Sequence, residues 1–128
     1  MSIETLFETY AGAWERRDAD AIAALHTPDS TYHLHAAQEP AVGRDAVRDA
    51  FAELFEQWPD IAFDLVSVRF GEDFWAVEWK VRTAAYEADL ADIVTVEDGL
   101  VKNKQSYLDA AAVLAQLEAS QTPAPQAA

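Results

Sequence analysis

Apolar positions follow two rhythms along the chain, a helical one near both ends and around residue 50, and a two-residue one elsewhere. Ile3, Leu6, Phe7, Tyr10 and Trp14 recur at three- and four-residue spacing and predict a first helix, with Ser2 as its N-cap and Glu4 in its first turn. Asp18 caps a short second helix that turns Ile22 and Leu25 inward, and Thr27-Pro28-Asp29 ends it. Gly43 leads into a third helix with Val47, Phe51, Leu54, Phe55 and Trp58 on one face, and Pro59 stops it. Asp109 caps a last helix carrying Val113, Leu114 and Leu117.

Between these helices the pattern alternates. Residues 30–35 set Tyr32 and Leu34 on one face and His33 and His35 on the other; residues 38–43 read as a loop around Pro40. Residues 61–70 are rich in β-branched and aromatic side chains, and Gly71-Glu72-Asp73 turns the chain. In residues 75–82, Trp75, Val77, Trp79 and Val81 oppose Glu78, Lys80 and Arg82. Residues 88–96 form the next strand, Asp98-Gly99 is a hairpin turn, and residues 100–108 return. The register of that last strand is open. Val101, Asn103, Gln105 and Tyr107 share one parity, Lys102, Lys104 and Ser106 the other, and a bulge would switch faces midway.

The strand 90–96 carries the one chemical irregularity. Leu90, Asp92, Val94 and Val96 share a face that is apolar except for Asp92. A carboxylate there must be neutral, paired, or at a pocket wall. Tyr10, in the middle of the first helix's buried stripe, needs a hydrogen-bond partner. Asp92 is one candidate and a backbone carbonyl the other.

Composition narrows the function classes. The 128 residues suit a single domain, with 51% hydrophobic residues to build a core. No apolar run approaches the roughly 18 residues of a membrane span, and the N-terminus lacks a signal-peptide layout. A cytoplasmic protein is the expectation. There is no cysteine, which excludes disulfides and thiolate chemistry. A net charge of −14 opposes nucleic acids and anionic membranes as partners.

His33-x-His35 with Glu39 resembles the metal-binding start of a cupin. That architecture is all-β, whereas helices are predicted here, so a polar strand face accounts for the pair and no metal is expected. No nucleophile elbow, phosphate loop or dinucleotide fingerprint is present, and no cofactor is expected. Trp14, Trp75 and Trp79, with Leu34, Phe63, Val77 and Val94, are candidate walls of an apolar pocket, or plain core.

The order helix, helix, strand, helix, then four long strands resembles the nuclear transport factor 2-like superfamily, which includes ketosteroid isomerase and SnoaL-type polyketide cyclases. The carriers are Tyr10, the stretch from Asp18 to Leu25, Glu39-Pro40 with Gly43 to Val47, and Val94 to Val101 with Tyr107 to Asp109. The resemblance implies an α+β cone, a curved antiparallel sheet wrapped over three helices with a short C-terminal helix. It spans residues 1–118 as one domain, followed by a disordered tail, 119–128. It further implies that Tyr10 and Asp92 are hydrogen-bond donors to a developing oxyanion. The family's general base falls, without gaps from Tyr10, at Leu34, so His35 is the substitute candidate.

The resulting expectation is a pocket protein. Its ligand would be an apolar carbonyl- or epoxide-bearing small molecule, handled by an isomerase-, cyclase- or hydrolase-like enzyme. The alternative is a non-catalytic ligand-binding or dimerisation domain. Ala91, Ile93 and Thr95 leave the face opposite Asp92 too apolar for open solvent, so a homodimer through the sheet is expected.

Overall fold

Most of the helices begin where a side chain satisfies their first free N–H groups. In the computed structural model, which describes residues 1–121, helix α1 spans Ile3–Glu15 and Ser2 Oγ accepts from the Thr5 amide at 3.1 Å. Helix α2 spans Ala19–Ala23, capped by Asp18 Oδ1 on the Ala21 amide at 3.0 Å. Helix α3, Arg44–Gln57, has no side-chain cap; it starts after Gly43, whose φ of 93° only glycine adopts easily. Helix α4 spans Ala110–Gln121, with Asp109 Oδ1 accepting from Ala112 at 3.1 Å. The helix thus continues three residues past the predicted boundary at 118. The rest of the expected tail, 122–128, lies outside the described residues.

Six strands form one sheet in the order β2-β1-β6-β5-β4-β3. They are β1 His26–His35, β2 Ala41–Val42, β3 Ala62–Phe70, β4 Phe74–Arg82, β5 Glu87–Glu97 and β6 Leu100–Leu108. The class is α+β, but the sheet is mixed, because β1 runs parallel to β6. Strands joined by tight turns must be antiparallel; β1 and β6 are separated by most of the domain and carry no such constraint. The predicted loop 38–43 contains the two-residue strand β2, paired with Thr31 and Tyr32.

The Thr27-Pro28-Asp29 stretch does not simply end a helix. Strand β1 already begins at His26, opposite Val101, and the ladder resumes at Thr31 opposite Asn103. Proline has no N–H to give to a ladder, so the irregularity falls across it. Between β5 and β6, the Asp98-Gly99 turn has φ values of 54° and 76°, the geometry that matches the twist of a two-residue hairpin. The register between β5 and β6 shifts between Thr95 and Val96. This bulge moves the inward side of β6 from Val101 to Lys104 and Ser106.

The core lies between α1, α3 and the inner face of the sheet. Trp14 meets Phe51, Phe55 and Phe63 edge-on, with centroids 4.8, 5.3 and 5.6 Å apart. Phe7 packs similarly on Trp75 at 5.4 Å. On the outer face Ile93 and Tyr107 remain 46% and 44% exposed. Among the described residues no helix is long and apolar enough to cross a membrane.

Phe51 is fully buried and touches the rings of Trp14, His26 and Tyr32. Phe51→Ala should therefore lower the unfolding free energy by about 3–5 kcal/mol, read from urea titration. A loss under about 1 kcal/mol would mean that the helix–sheet seam is not packed as described.

Candidate functional site

A cavity of about 1000 Å³ opens between α1 and the inner face of the sheet. Its walls are mainly apolar. Trp14, Leu34, Phe63, Trp75, Val77 and Trp79, all candidate walls from the sequence, line it. Val94 is fully buried behind the wall and does not reach the space. Toward the outside the lining becomes polar, with an exposed ion pair in which Arg82 Nε donates to Asp64 Oδ2 at 2.7 Å.

Three charged or polar groups interrupt the apolar wall on the sheet side. Asp92 from β5 lies 3.1 Å, through Oδ2, from the Lys104 ammonium of β6, and the Ser106 hydroxyl donates to Asp92 Oδ1 at 2.5 Å. The Lys104 and Asp92 side chains are 7% and 5% exposed. The pairing follows from the sheet: beyond the bulge, Asp92 stands opposite Ser106, and Val94 opposite Lys104. Both carboxylate oxygens accept hydrogen bonds, the arrangement of an ionised acid rather than of a neutral donor. Lys104 Nζ also sits over the rings of Tyr10 and Trp14, 5.3 and 5.0 Å from their centroids. These contacts keep part of its charge stabilised by ring faces rather than by water.

Tyr10 lines the cavity as well, but its partner is not Asp92. Its hydroxyl lies 2.8 Å from Nε2 of His26, which is wholly buried behind it. Among the described residues His26 Nδ1 has no hydrogen-bond partner. Burial, with the charges of Lys104 and Arg44, pushes the His26 pKa down to about 3, so the ring is neutral. The direction of this bond follows the tautomer: a ring protonated on Nδ1 accepts from the Tyr10 hydroxyl at Nε2, and one protonated on Nε2 donates to the Tyr10 oxygen. Arg44 braces the same turn, its Nε donating to the His26 carbonyl at 3.0 Å. Burial also raises the pKa of Tyr10 and of Tyr32, a further wall residue, keeping both phenols protonated.

His35, the expected substitute base, is on the other face of β1. Its ring stacks on Tyr107 at 4.3 Å and lies 3.8 Å from that of His33, and its Nε2–H donates to Gln105 Oε1 at 2.5 Å. Leu34 takes the inward place, so strand alternation keeps His35 out of the cavity.

Sequence reasoning missed His26, Lys104 and Ser106. Parity would have found the first, since His26 shares it with the buried Ser30 and Tyr32 once the strand is carried back across Pro28. Straight counting from the Asp98-Gly99 hairpin fails for the other two, because the bulge offsets the pairing by one residue.

The depressed His26 pKa couples this site to stability. Unfolded histidine titrates near 6.5 and folded His26 near 3, so the unfolded chain binds more protons between those values. The His26 contribution is complete above about pH 6.5 and declines as pH falls toward 3, by up to about 1.4 kcal/mol per pH unit. His26→Gln removes that dependence. The stability difference between native protein and variant should shrink on acidification from pH 6.5 to about 4.5. A pH-independent difference in urea unfolding would show that His26 titrates like an exposed histidine.

The shape around this site is shared with solved structures. A candidate SnoaL-like polyketide cyclase from Jannaschia sp. CCS1 superposes with a TM-score of 0.80 at 20% identity, covering 94% of this chain and 92% of that one. IdmH, a candidate polyketide cyclase from Streptomyces antibioticus, gives 0.77 at 18% identity, covering 90% and 97%. A candidate ketosteroid isomerase from Kribbella flavida DSM 17836 gives 0.71 at 17% identity, covering 97% and 82%. At these identities the likeness concerns the fold. No curated protein matches the sequence. The SnoaL-like domain family matches residues 7–103, which include most of the first helix, the helix–sheet core and Asp92. The chain therefore belongs to the SnoaL-like domain family, with the nuclear transport factor 2-like, ketosteroid isomerase-like fold.

Proposed function

We infer that the protein acts on an apolar small molecule whose carbonyl or epoxide oxygen enters the Asp92–Lys104 end of the cavity, in an isomerase- or cyclase-like proton transfer. The observation that carries this is an ion pair at 7% and 5% exposure on the wall of an apolar cavity. Desolvating both charges costs several kcal/mol that a hydrophobic pair would not incur. Candidate cyclases and a candidate isomerase among the similar folds agree with the same class of chemistry.

The groups divide the work by charge. Ionised Asp92 accepts a proton from the carbon next to a carbonyl. Lys104 and, with the His26 proton on Nε2, the Tyr10 hydroxyl donate to the oxygen on which negative charge develops. Trp14, Trp75 and Trp79 supply the apolar surface that holds the ligand body and excludes water. In this assignment Asp92 is the base that Leu34 cannot be, and Tyr10 keeps the donor role.

A second reading has its own observation. Asp92 is already satisfied by Lys104 and Ser106, as it would be in a ligand-binding domain without turnover. Thermal shift against steroids, polyketide-like ketones and terpenoid epoxides identifies a ligand. Deuterium exchange at its α-carbon, followed by NMR, then separates the two readings. Asp92→Asn should slow exchange by about 10²–10⁴-fold with ligand affinity retained. Exchange that is absent in the native protein favours binding without turnover, and exchange unchanged in the variant removes Asp92 as the base.

The apolar outer face enters the proposal as a contact between two copies. Ile93 and Tyr107 stand exposed there beside partly buried Ala91. Sedimentation velocity at micromolar concentration should give a dimer, and Ile93→Lys should give a monomer; a monomeric native protein overturns this part.

A further inference from the structure

We propose that Lys104 is a nucleophile, condensing through its ε-amine with an aldehyde or ketone in the cavity to form an iminium. The proposal rests on the reading that the cavity receives an apolar carbonyl compound, and adds a covalent step to it. Three observations carry it. Lys104 is the one lysine that faces the cavity; the other two, Lys80 and Lys102, make surface ion pairs with Asp89 and Asp29. Among the described residues Asp92 is its one hydrogen-bond partner, and the ring faces of Tyr10 and Trp14 beside it do not hold its other hydrogens by hydrogen bonds. The chain has no cysteine, and the Ser106 hydroxyl is engaged by Asp92, so the lysine amine is the strongest nucleophile on the wall.

The ion pair supplies the proton inventory for this step. An apolar ligand that fills the cavity displaces water and makes the charged pair less favourable relative to a neutral amine and carboxylic acid. The proton then crosses the 3.1 Å from Lys104 Nζ to Asp92 Oδ2. The amine lone pair attacks the carbonyl carbon, forming the C–N bond as the C=O π electrons move to oxygen. That oxygen takes the proton held by Asp92. The carboxylate next removes a proton from nitrogen and delivers it to the carbinolamine hydroxyl. Water leaves, and the nitrogen lone pair closes the C=N bond. An ammonium and a carbonyl have become an iminium and water, with Asp92 ionised at the start and at the end. The pair is neutral while Asp92 holds the proton and oppositely charged when it does not, so neither group is left as a lone buried charge. The iminium acidifies the adjacent C–H bond, which is the proton the proposed isomerase- or cyclase-like step must move.

The test uses the full chain with 2-naphthaldehyde and sodium cyanoborohydride, which reduces an iminium to a stable secondary amine. Peptide mass spectrometry locates the adduct. In parallel, 2-naphthylmethanol, which has the same body and no carbonyl, reports non-covalent occupancy by tryptophan fluorescence. The expected result is saturable alcohol binding and an adduct on Lys104 at least about tenfold above Lys80, Lys102 and the terminal amine. Competition by the alcohol should suppress the Lys104 adduct alone. Lys104→Arg keeps a charge beside Asp92 and should abolish that adduct while still binding the alcohol. If the alcohol binds but only surface amines are labelled, the imine proposal is overturned and the cavity reading stands. If neither the alcohol binds nor Lys104 is labelled, both fall.

Discussion

Two opposite charges held out of water set the terms for the rest of this molecule. Asp92 and Lys104 face each other from adjacent strands, each nearly inaccessible to solvent. Their attraction is strong only because the surroundings are apolar, and the same surroundings make losing either partner cost about 3–5 kcal/mol. Packing must therefore hold them in register. The hairpin turn at Asp98-Gly99 brings β5 and β6 together, and the bulge one turn further on rotates Lys104 and Ser106 to the inner face. Ser106 completes the arrangement by using the second carboxylate oxygen. Without the bulge, Asn103 and Gln105 would face the cavity and Asp92 would be a buried charge with no cation.

The aromatic shell does more than fill space. Trp14 and Tyr10 present ring faces to the ammonium, and Trp14 is in turn clamped edge-on by three phenylalanines. The first helix is thereby tied both to the third helix and to the charged strands. Tyr10 has its own anchor in His26, whose neutrality is enforced by burial and by the neighbouring cations Lys104 and Arg44. The two polar systems are coupled through charge: the same ammonium that pairs with Asp92 helps to keep His26 neutral.

The two faces of the sheet show how strongly alternation governs chemistry. His33 and His35 have the residue types of a catalytic or metal-binding pair, yet they sit in a polar outer row with Gln105, Asn103 and Thr31. His26, nine residues before His35, faces inward and is fully buried. Position on the strand, rather than residue type, decides which imidazole is buried behind the cavity wall.

Local chemistry was enough to settle the helices, the hairpin, the inward row of Trp75, Val77 and Trp79, and the oddity of an acid among valines at Asp92. Those features depend on spacing and on caps such as Ser2, Asp18 and Asp109, all contained within a few residues of one another. What Asp92 and Tyr10 bond to was not legible. Their partners come from 12 to 16 residues away, across a bulge in one case and a proline-interrupted strand in the other. The parallel placement of β1 beside β6 was likewise undecided by any local signal, because no turn connects them. A pattern of period two says which side chains share a face. Only the assembled sheet, with its bulge and its break at Pro28, decides which of them meet across strands, as Asp92 meets Lys104 and Ser106.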